Sequence, residues 1–277
     1  MIEGKETIMS YRLFVLDIDG TLRPRGCTCV PRTTAKAIKA VQRVGVRVAI
    51  ATGRGRASVP KDLLSGIHPD YWICSAGAHV LDAKGTLLYD TRMTPEQMYA
   101  LVDFCENYEY PLRFIFTDGS YAYLGYEEFR AWGKTHPIGI DLKDGMDQDR
   151  HLLDMPFTAF AWLNREAAQR FQDKYGYLGL RFVFDKDDAC DVLPPEVDKG
   201  HALTGLLEKL GLPAADCVAV GDGDNDVGML QAAGLGVAVE TGSEAAKAAA
   251  DRLCPPGDKG GLEALCRELW PHAFEEG

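Results

Sequence analysis

Leu13-Phe14-Val15-Leu16-Asp17-Ile18-Asp19-Gly20-Thr21 opens as an apolar run and stops on two carboxylates and a glycine. The run has the pattern of a strand buried on both faces. A buried strand ending in Asp-x-Asp sets both acids just past the carboxyl edge of a sheet, where open α/β folds keep their chemistry. Alternation along an extended chain points Asp17 and Asp19 to the same side, about 6–7 Å apart. Two acids so placed repel unless a cation or a proton lies close. Oxygen ligands of this kind suit a hard cation such as Mg2+. Gly20 permits a turn that other residues resist, and the Thr21 hydroxyl is available to an anion. Asp and Gly after a strand are also ordinary turn formers, so the rest of the chain has to decide between a turn and a site.

Working outward, the loop from Arg23 to Val30 leads to a helix capped by Thr33 and running to Val44, with an apolar stripe at Ala37, Ile38, Val41 and Val44. A second buried strand, Val46 to Ala51, breaks on Thr52-Gly53-Arg54. A hydroxyl beside a glycine at a strand end can hold a phosphate through its side chain and backbone N–H groups. Residues 62–67 read as partly helical, and a third strand, Tyr71 to Cys74, precedes Ser75-Ala76-Gly77-Ala78.

From Asp82 to Asp188 the pattern changes to hairpins mixed with helices. The first is a hairpin around Lys84-Gly85, followed by a capping box at Thr94-Pro95-Glu96-Gln97 and a strand pair around Asp118-Gly119. This α+β pattern differs from the alternating chain on either side. The expected organisation is therefore a core domain of residues 1–81 and 189–277 with an inserted domain of residues 82–188. Alternation returns with a helix from Lys199 to Leu210 and a strand, Cys217 to Val220, that breaks on Gly221-Asp222-Gly223-Asp224-Asn225-Asp226. Asp224 is read as the cap of the next helix, and Thr241 with Glu244 as a capping box. His201 reads as packing or solvent-facing.

At 277 residues and 46% hydrophobic composition the chain has ample core for one large or two ordinary domains. The formal net charge of −11 argues against nucleic acid as a partner, because phosphate backbones select basic faces. It still allows small phosphorylated substrates, since a metal and a lysine reverse the sign locally. No apolar run approaches a membrane span, and the first residues lack the regions of a signal peptide. The expectation is a cytoplasmic protein without a membrane partner, with a loose tail before Met9. The eight cysteines are scattered without a Cys-x-x-Cys, which points to buried thiols rather than zinc or disulfides, Cys27 and Cys29 being the candidates for reactivity.

Asp17/Asp19/Thr21, Thr52-Gly53, Lys199 and Asp222/Asn225/Asp226 thus stand at separate strand ends or helix starts, and the strand ends of a parallel sheet converge on one edge. An anion held between a lysine, hydroxyls and a divalent metal is a phosphoryl site. In order and spacing these motifs resemble the haloacid dehalogenase superfamily, in its Cof-type subfamily IIB of phosphatases with a C2B cap. Its first motif is matched by Asp17 to Thr21, its second by Thr52 within Ala51-Thr52-Gly53-Arg54, its third by Lys199, and its fourth by Gly221 to Asp226 with Met229 after it. Ser75-Ala76-Gly77-Ala78 departs from the pattern, which often has an Asn before this Gly.

The resemblance implies an α/β, Rossmann-like parallel-sheet core with an α+β cap over residues 82–188. It implies a Mg2+-dependent phosphatase acting on a small phosphorylated metabolite, such as a sugar or polyol phosphate. Asp17 would be the nucleophile and Asp19 the general acid–base. Mg2+ would lie on Asp17, the Asp19 carbonyl and Asp222, with Asp226 behind them, and Thr52, Gly53, Lys199 and Asn225 would hold the phosphate. Arg54 is read as a loop contact. A phosphomutase and a non-catalytic sensor of a phosphometabolite remain open alternatives, whereas a dehalogenase would need neither Asp19 nor a metal. Oligomeric state is not legible.

Overall fold

The computed structural model describes residues 11–135, 141–186 and 188–275. The tail expected before Met9 lies outside them. The described chain forms two compact units. The first holds the residues up to Ile50, Leu64–Asp70, and those from Leu203 on; the second holds Ala51–Leu63 and the described residues from Tyr71 to Ala202.

In the first unit, β1 (Leu13–Leu16) is followed by α1 (Arg32–Arg43) and β2 (Arg47–Ala51). β1 has no exposed side chain, as its uninterrupted apolar sequence requires. α1 starts at Pro31 rather than at a capped Thr33; its N-terminus has no side-chain cap bond. Proline fixes the entry φ, so the turn forms without a hydroxyl. Residues 62–67 are turns and not helix, because Ser65 and Gly66 adopt left-handed φ of 49° and 77°.

The second unit begins its regular structure with β3 (Tyr71–Cys74), β4 (His79–Asp82) and β5 (Leu87–Asp90), an antiparallel meander. α2 (Pro95–Asn107) follows. Its capping box forms as expected: the Gln97 N–H donates to Thr94 Oγ1 at 3.2 Å and the Thr94 N–H to Gln97 Oε1 at 2.9 Å. Next come β6 (Leu112–Phe116), β7 (Gly119–Leu124), α3 (Tyr126–Thr135) and β8 (Leu142–Asp144). β9 (Thr158–Ala161), α4 (Arg165–Tyr175), β10 (Arg181–Lys186) and β11 (Ala189–Leu193) complete the run, and α5 (Lys199–Leu210) begins in this unit and passes into the first at Leu203. α3 and β8 had no clear sequence pattern. A six-stranded sheet of order β10-β11-β9-β6-β7-β8 is antiparallel except for β7–β8. One face packs its Leu112, Phe114, Ala159, Ala161, Cys190 and Val192 into a core with Leu101 and Phe104 of α2 and Phe171 of α4.

The chain then returns through β12 (Cys217–Gly221), α6 (Val227–Ala232), β13 (Leu235–Val239), α7 (Glu244–Ala249), β14 (Arg252–Cys254) and α8 (Gly261–Leu269). In the first unit the strands pair in the order β14-β13-β12-β1-β2, every pair parallel. This is the expected parallel-sheet α/β core. α7 is capped by Ser243, whose hydroxyl accepts from the Ala246 N–H at 3.1 Å, and not by Thr241. Six of the eight cysteines are buried, and burial pushes the Cys74 thiol up to about 12, which makes it inert. No helix among the described residues is long and apolar enough to cross a membrane.

Candidate active site

The parallel strands β1 and β12 end level with each other, Leu16 pairing with Val220. The chain leaves β1 with the Asp17 N–H donating to the Val220 carbonyl at 3.0 Å. It then folds back on itself, the Leu22 N–H reaching the Asp17 carbonyl and the Gly20 N–H the Arg23 carbonyl at 3.2 and 2.9 Å. This hook needs Gly20. Its φ is +98°, and a Cβ there would lie 2.0 Å from Asp222 Oδ2. The Thr21 hydroxyl donates to Asp222 Oδ1 at 3.0 Å, so the anion it meets is the chain's own carboxylate.

Asp17, Asp222 and Asp226 are all buried, and their ligand oxygens lie within 4.8 Å of one another. Asp226 is held from behind: its Oδ2 accepts from the N–H groups of Asp222 and Gly223, both at 2.9 Å. Asp224 does not cap α6, whose N-terminus carries no side-chain cap bond; it opens a short 3-10 turn, and the Asp226 carboxylate reaches back to the start of that turn. Gly221 is required beside it, since a Cβ there would lie 2.5 Å from the Asp226 Cβ. The exposed Arg25 approaches Asp222 at 3.6 Å. Three buried carboxylates at this spacing repel strongly as anions, and an all-oxygen donor set of this kind fits a divalent cation. Asn225 stands in the same turn, half-buried. Asp19 is not one of these three carboxylates. Its Oδ1 accepts both the Nε and an Nη of Arg23, the former at 2.9 Å. That partner was not legible in the sequence, because i,i+4 spacing pairs side chains only in a helix and this segment is a hook.

Within the second unit, Thr52 is buried and its hydroxyl accepts from the Arg54 N–H at 3.2 Å. Gly53 lies between them, half-buried. The Ala76 N–H donates to the Thr52 carbonyl and the Ser75 N–H to the Arg54 carbonyl, at 3.0 and 2.9 Å. These bonds clamp the loop after β2 to the loop after β3. The second loop is strained: Ser75, Ala76 and Gly77 have φ of 50°, 56° and 109°. Among the described residues the Ser75 hydroxyl is buried without a hydrogen-bond partner. A Cβ on Gly77 would meet the Asp198 carbonyl at 2.4 Å, so this loop lies directly on the chain entering α5. Asp198 accepts from the Gly200 N–H at 2.7 Å, and Lys199 is fully buried rather than a surface lysine. His201 is exposed.

A parallel α/β core with a buried carboxylate cluster past its strand ends defines an enzyme class with a candidate cation site. The chain belongs to the haloacid dehalogenase-like hydrolases, whose family profile matches residues 14–264. It is similar to the phosphatase YwpJ of Bacillus subtilis, at 26% identity over 93% of this chain and 99% of that protein. Its fold is that of a haloalkanoate-superfamily phosphatase from Bacteroides thetaiotaomicron, with a TM-score of 0.82 at 21% identity over 97% of both chains. A subclass IIB sugar phosphatase of the same superfamily superposes at a TM-score of 0.79 and 21% identity, over 93% of this chain and 98% of the other. The protein is an enzyme, a phosphatase of this family, and its cap-bearing fold is that of subclass IIB.

Proposed function

We propose that the enzyme hydrolyses a small phosphate monoester, such as a sugar or polyol phosphate, through an aspartyl-phosphate on Asp17. An Asp17 oxygen attacks phosphorus, and the ester oxygen leaves with a proton from Asp19. Asp19, now a carboxylate, takes a proton from the water that attacks the phosphorus of the acyl phosphate. Inorganic phosphate departs and Asp17 is regenerated. Arg23 orients the Asp19 carboxyl in both half-reactions. Thr52, Gly53, Lys199 and Asn225 hold the phosphate oxygens, a role in which one lost donor costs about 3–4 kcal/mol of barrier. Asp17, the Asp19 carbonyl and Asp222 would hold Mg2+, with Asp226 orienting that set. When bound, the cation neutralises charge between nucleophile and phosphate. Residues 82–188 act as the cap that selects the leaving group, and the remainder as the catalytic domain.

The observation that carries this reading is the buried cluster of Asp17, Asp222 and Asp226 within 4.8 Å, in a chain of the haloacid dehalogenase-like hydrolases. The test is hydrolysis of p-nitrophenyl phosphate by purified protein with Mg2+ and after EDTA. Turnover should vanish on chelation and return with Mg2+. Turnover indifferent to EDTA removes the cation from the scheme, and complete inactivity of metal-loaded protein removes the hydrolase.

A further inference from the structure

Two arginines that follow the hook after β1 meet two different acids of the site, and they meet them differently. The Arg23 side chain is 11% exposed and its guanidinium is committed: Nε donates to Asp19 Oδ1 at 2.9 Å and Nη1 to the Cys27 carbonyl at 2.7 Å. The Arg25 side chain is 75% exposed, and its Nη2 stands 3.6 Å from Asp222 Oδ2. That separation makes an ion pair without a hydrogen bond. An exposed guanidinium so held is weakly bound and easily displaced.

Arg25 is kept over Asp222 by its backbone. The Cys27 N–H donates to the Pro24 carbonyl at 3.0 Å, and Gly26, at a φ of +86°, supplies the left-handed third position, so Arg25 is the second residue of a type II turn. The turn is pinned at both ends. Pro24 packs on Gly257, where a Cβ would lie 3.3 Å from the proline Cγ, and the Cys27 carbonyl is held by Arg23. The acid is equally fixed. Thr21 donates to Asp222 Oδ1, and the Gly20 backbone closes on Oδ2 so tightly that no Cβ fits between them. Of the two partners, only the arginine side chain has room to move.

Asp222 is also one of the three buried carboxylates whose oxygens fit a divalent cation. A cation drawn to those oxygens approaches the guanidinium that faces one of them, and like charges at that range repel. We propose that Arg25 is a displaceable counter-ion of the cluster: it neutralises Asp222 until a divalent cation binds, then swings off Asp222 into solvent, so that its charge sets how tightly the cation is held. The proposal rests on the cation reading of Asp17, Asp222 and Asp226, and goes beyond it by giving the site a residue that opposes binding. A guanidinium that can leave lowers the repulsion among the acids without blocking the cation.

The test is calorimetric titration of the full chain with Mg2+ after treatment with EDTA and dialysis, with Mn2+ followed by electron paramagnetic resonance as a second probe. Arg25→Gln should bind the cation about tenfold more tightly than the parent, a difference of about 1.4 kcal/mol. Arg25→Lys keeps a charge on the same turn and should stay within about threefold of the parent. Arg12→Gln removes the same charge from an exposed pair with Asp216, before β1 rather than after it, and should change the affinity by less than about twofold. Raising the ionic strength should narrow the gap between Arg25→Gln and the parent, because exposed charges are screened. Equal or weaker cation binding by Arg25→Gln overturns the proposal, and so does an equal gain in Arg12→Gln, which would make the effect one of net charge. A lower melting temperature for Arg25→Gln with no gain in affinity assigns Arg25 to the turn alone and overturns it too. If Arg25→Gln does not fold, judged by circular dichroism, Arg25→Met replaces it with the same readings. Failure of the parent to bind either cation refutes the cation reading together with this proposal; binding by the parent without the gain refutes this proposal alone.

Discussion

Gly20 shows how much of the site rests on a missing side chain. Its φ of +98° and the 2.0 Å approach to Asp222 leave no space for a methyl group. Gly20→Ala should therefore lower stability by about 2 kcal/mol or more, the combined cost of left-handed strain and a displaced carboxylate; chemical denaturation measures it, and a variant as stable as the parent would show that the hook rearranges freely. Asp17→Asn is nearly isosteric. It should leave the circular dichroism spectrum and melting temperature close to the parent and abolish turnover, because an amide is not a competent nucleophile toward phosphorus. Retained hydrolysis in that variant would reassign the nucleophile. At this scale the candidate residues were legible, since Asp-x-Asp after an apolar run and an Asp-rich turn after another announce themselves by residue type. Arg23 on Asp19 was not. Side-chain pairing inside an irregular hook has no period to read.

Among the elements, α2 was the most readable and α7 among the less so. Thr94 and Gln97 satisfy each other's backbone donors as their spacing demanded. Thr94→Ala removes one side of that exchange and should cost about 1 kcal/mol. A melt showing no loss would mean that the last unfolding step leaves α2 intact. At α7 two hydroxyl residues compete for one cap, and Ser243 wins because the Gly242 N–H already bonds the Val239 carbonyl at 2.8 Å and turns the chain first. α3 and β8 escaped notice because Tyr126–Thr135 mixes aromatic and charged residues without a clean stripe, and Leu142–Asp144 is too short for alternation to register.

Over the whole molecule, stability carries a pH term from His79. The imidazole is buried and stacked on Phe157 at 4.3 Å. Burial first, and the Arg92 charge second, lower its pKa from 6.5 to about 4. Above pH 6.5 it is neutral folded or unfolded and contributes no pH dependence. Between pH 6.5 and 4 the unfolded chain binds a proton that the folded chain refuses, so stability falls as pH falls, by up to about 3 kcal/mol. Urea unfolding across that window should show a steeper decline for the parent than for His79→Gln. Parallel curves would mean that the ring is protonated in the fold.

By itself the sequence determined the parallel core, the α+β character of the middle of the chain, and the residue types of a phosphoryl site. Each of these is encoded locally, in apolar runs, in their period and in what terminates them. Only the tertiary structure decided which carboxylates share a space and that Thr21 serves Asp222. Those outcomes depend on strand register and on the contact of segments far apart in the chain, and neither leaves a mark on the neighbouring residues.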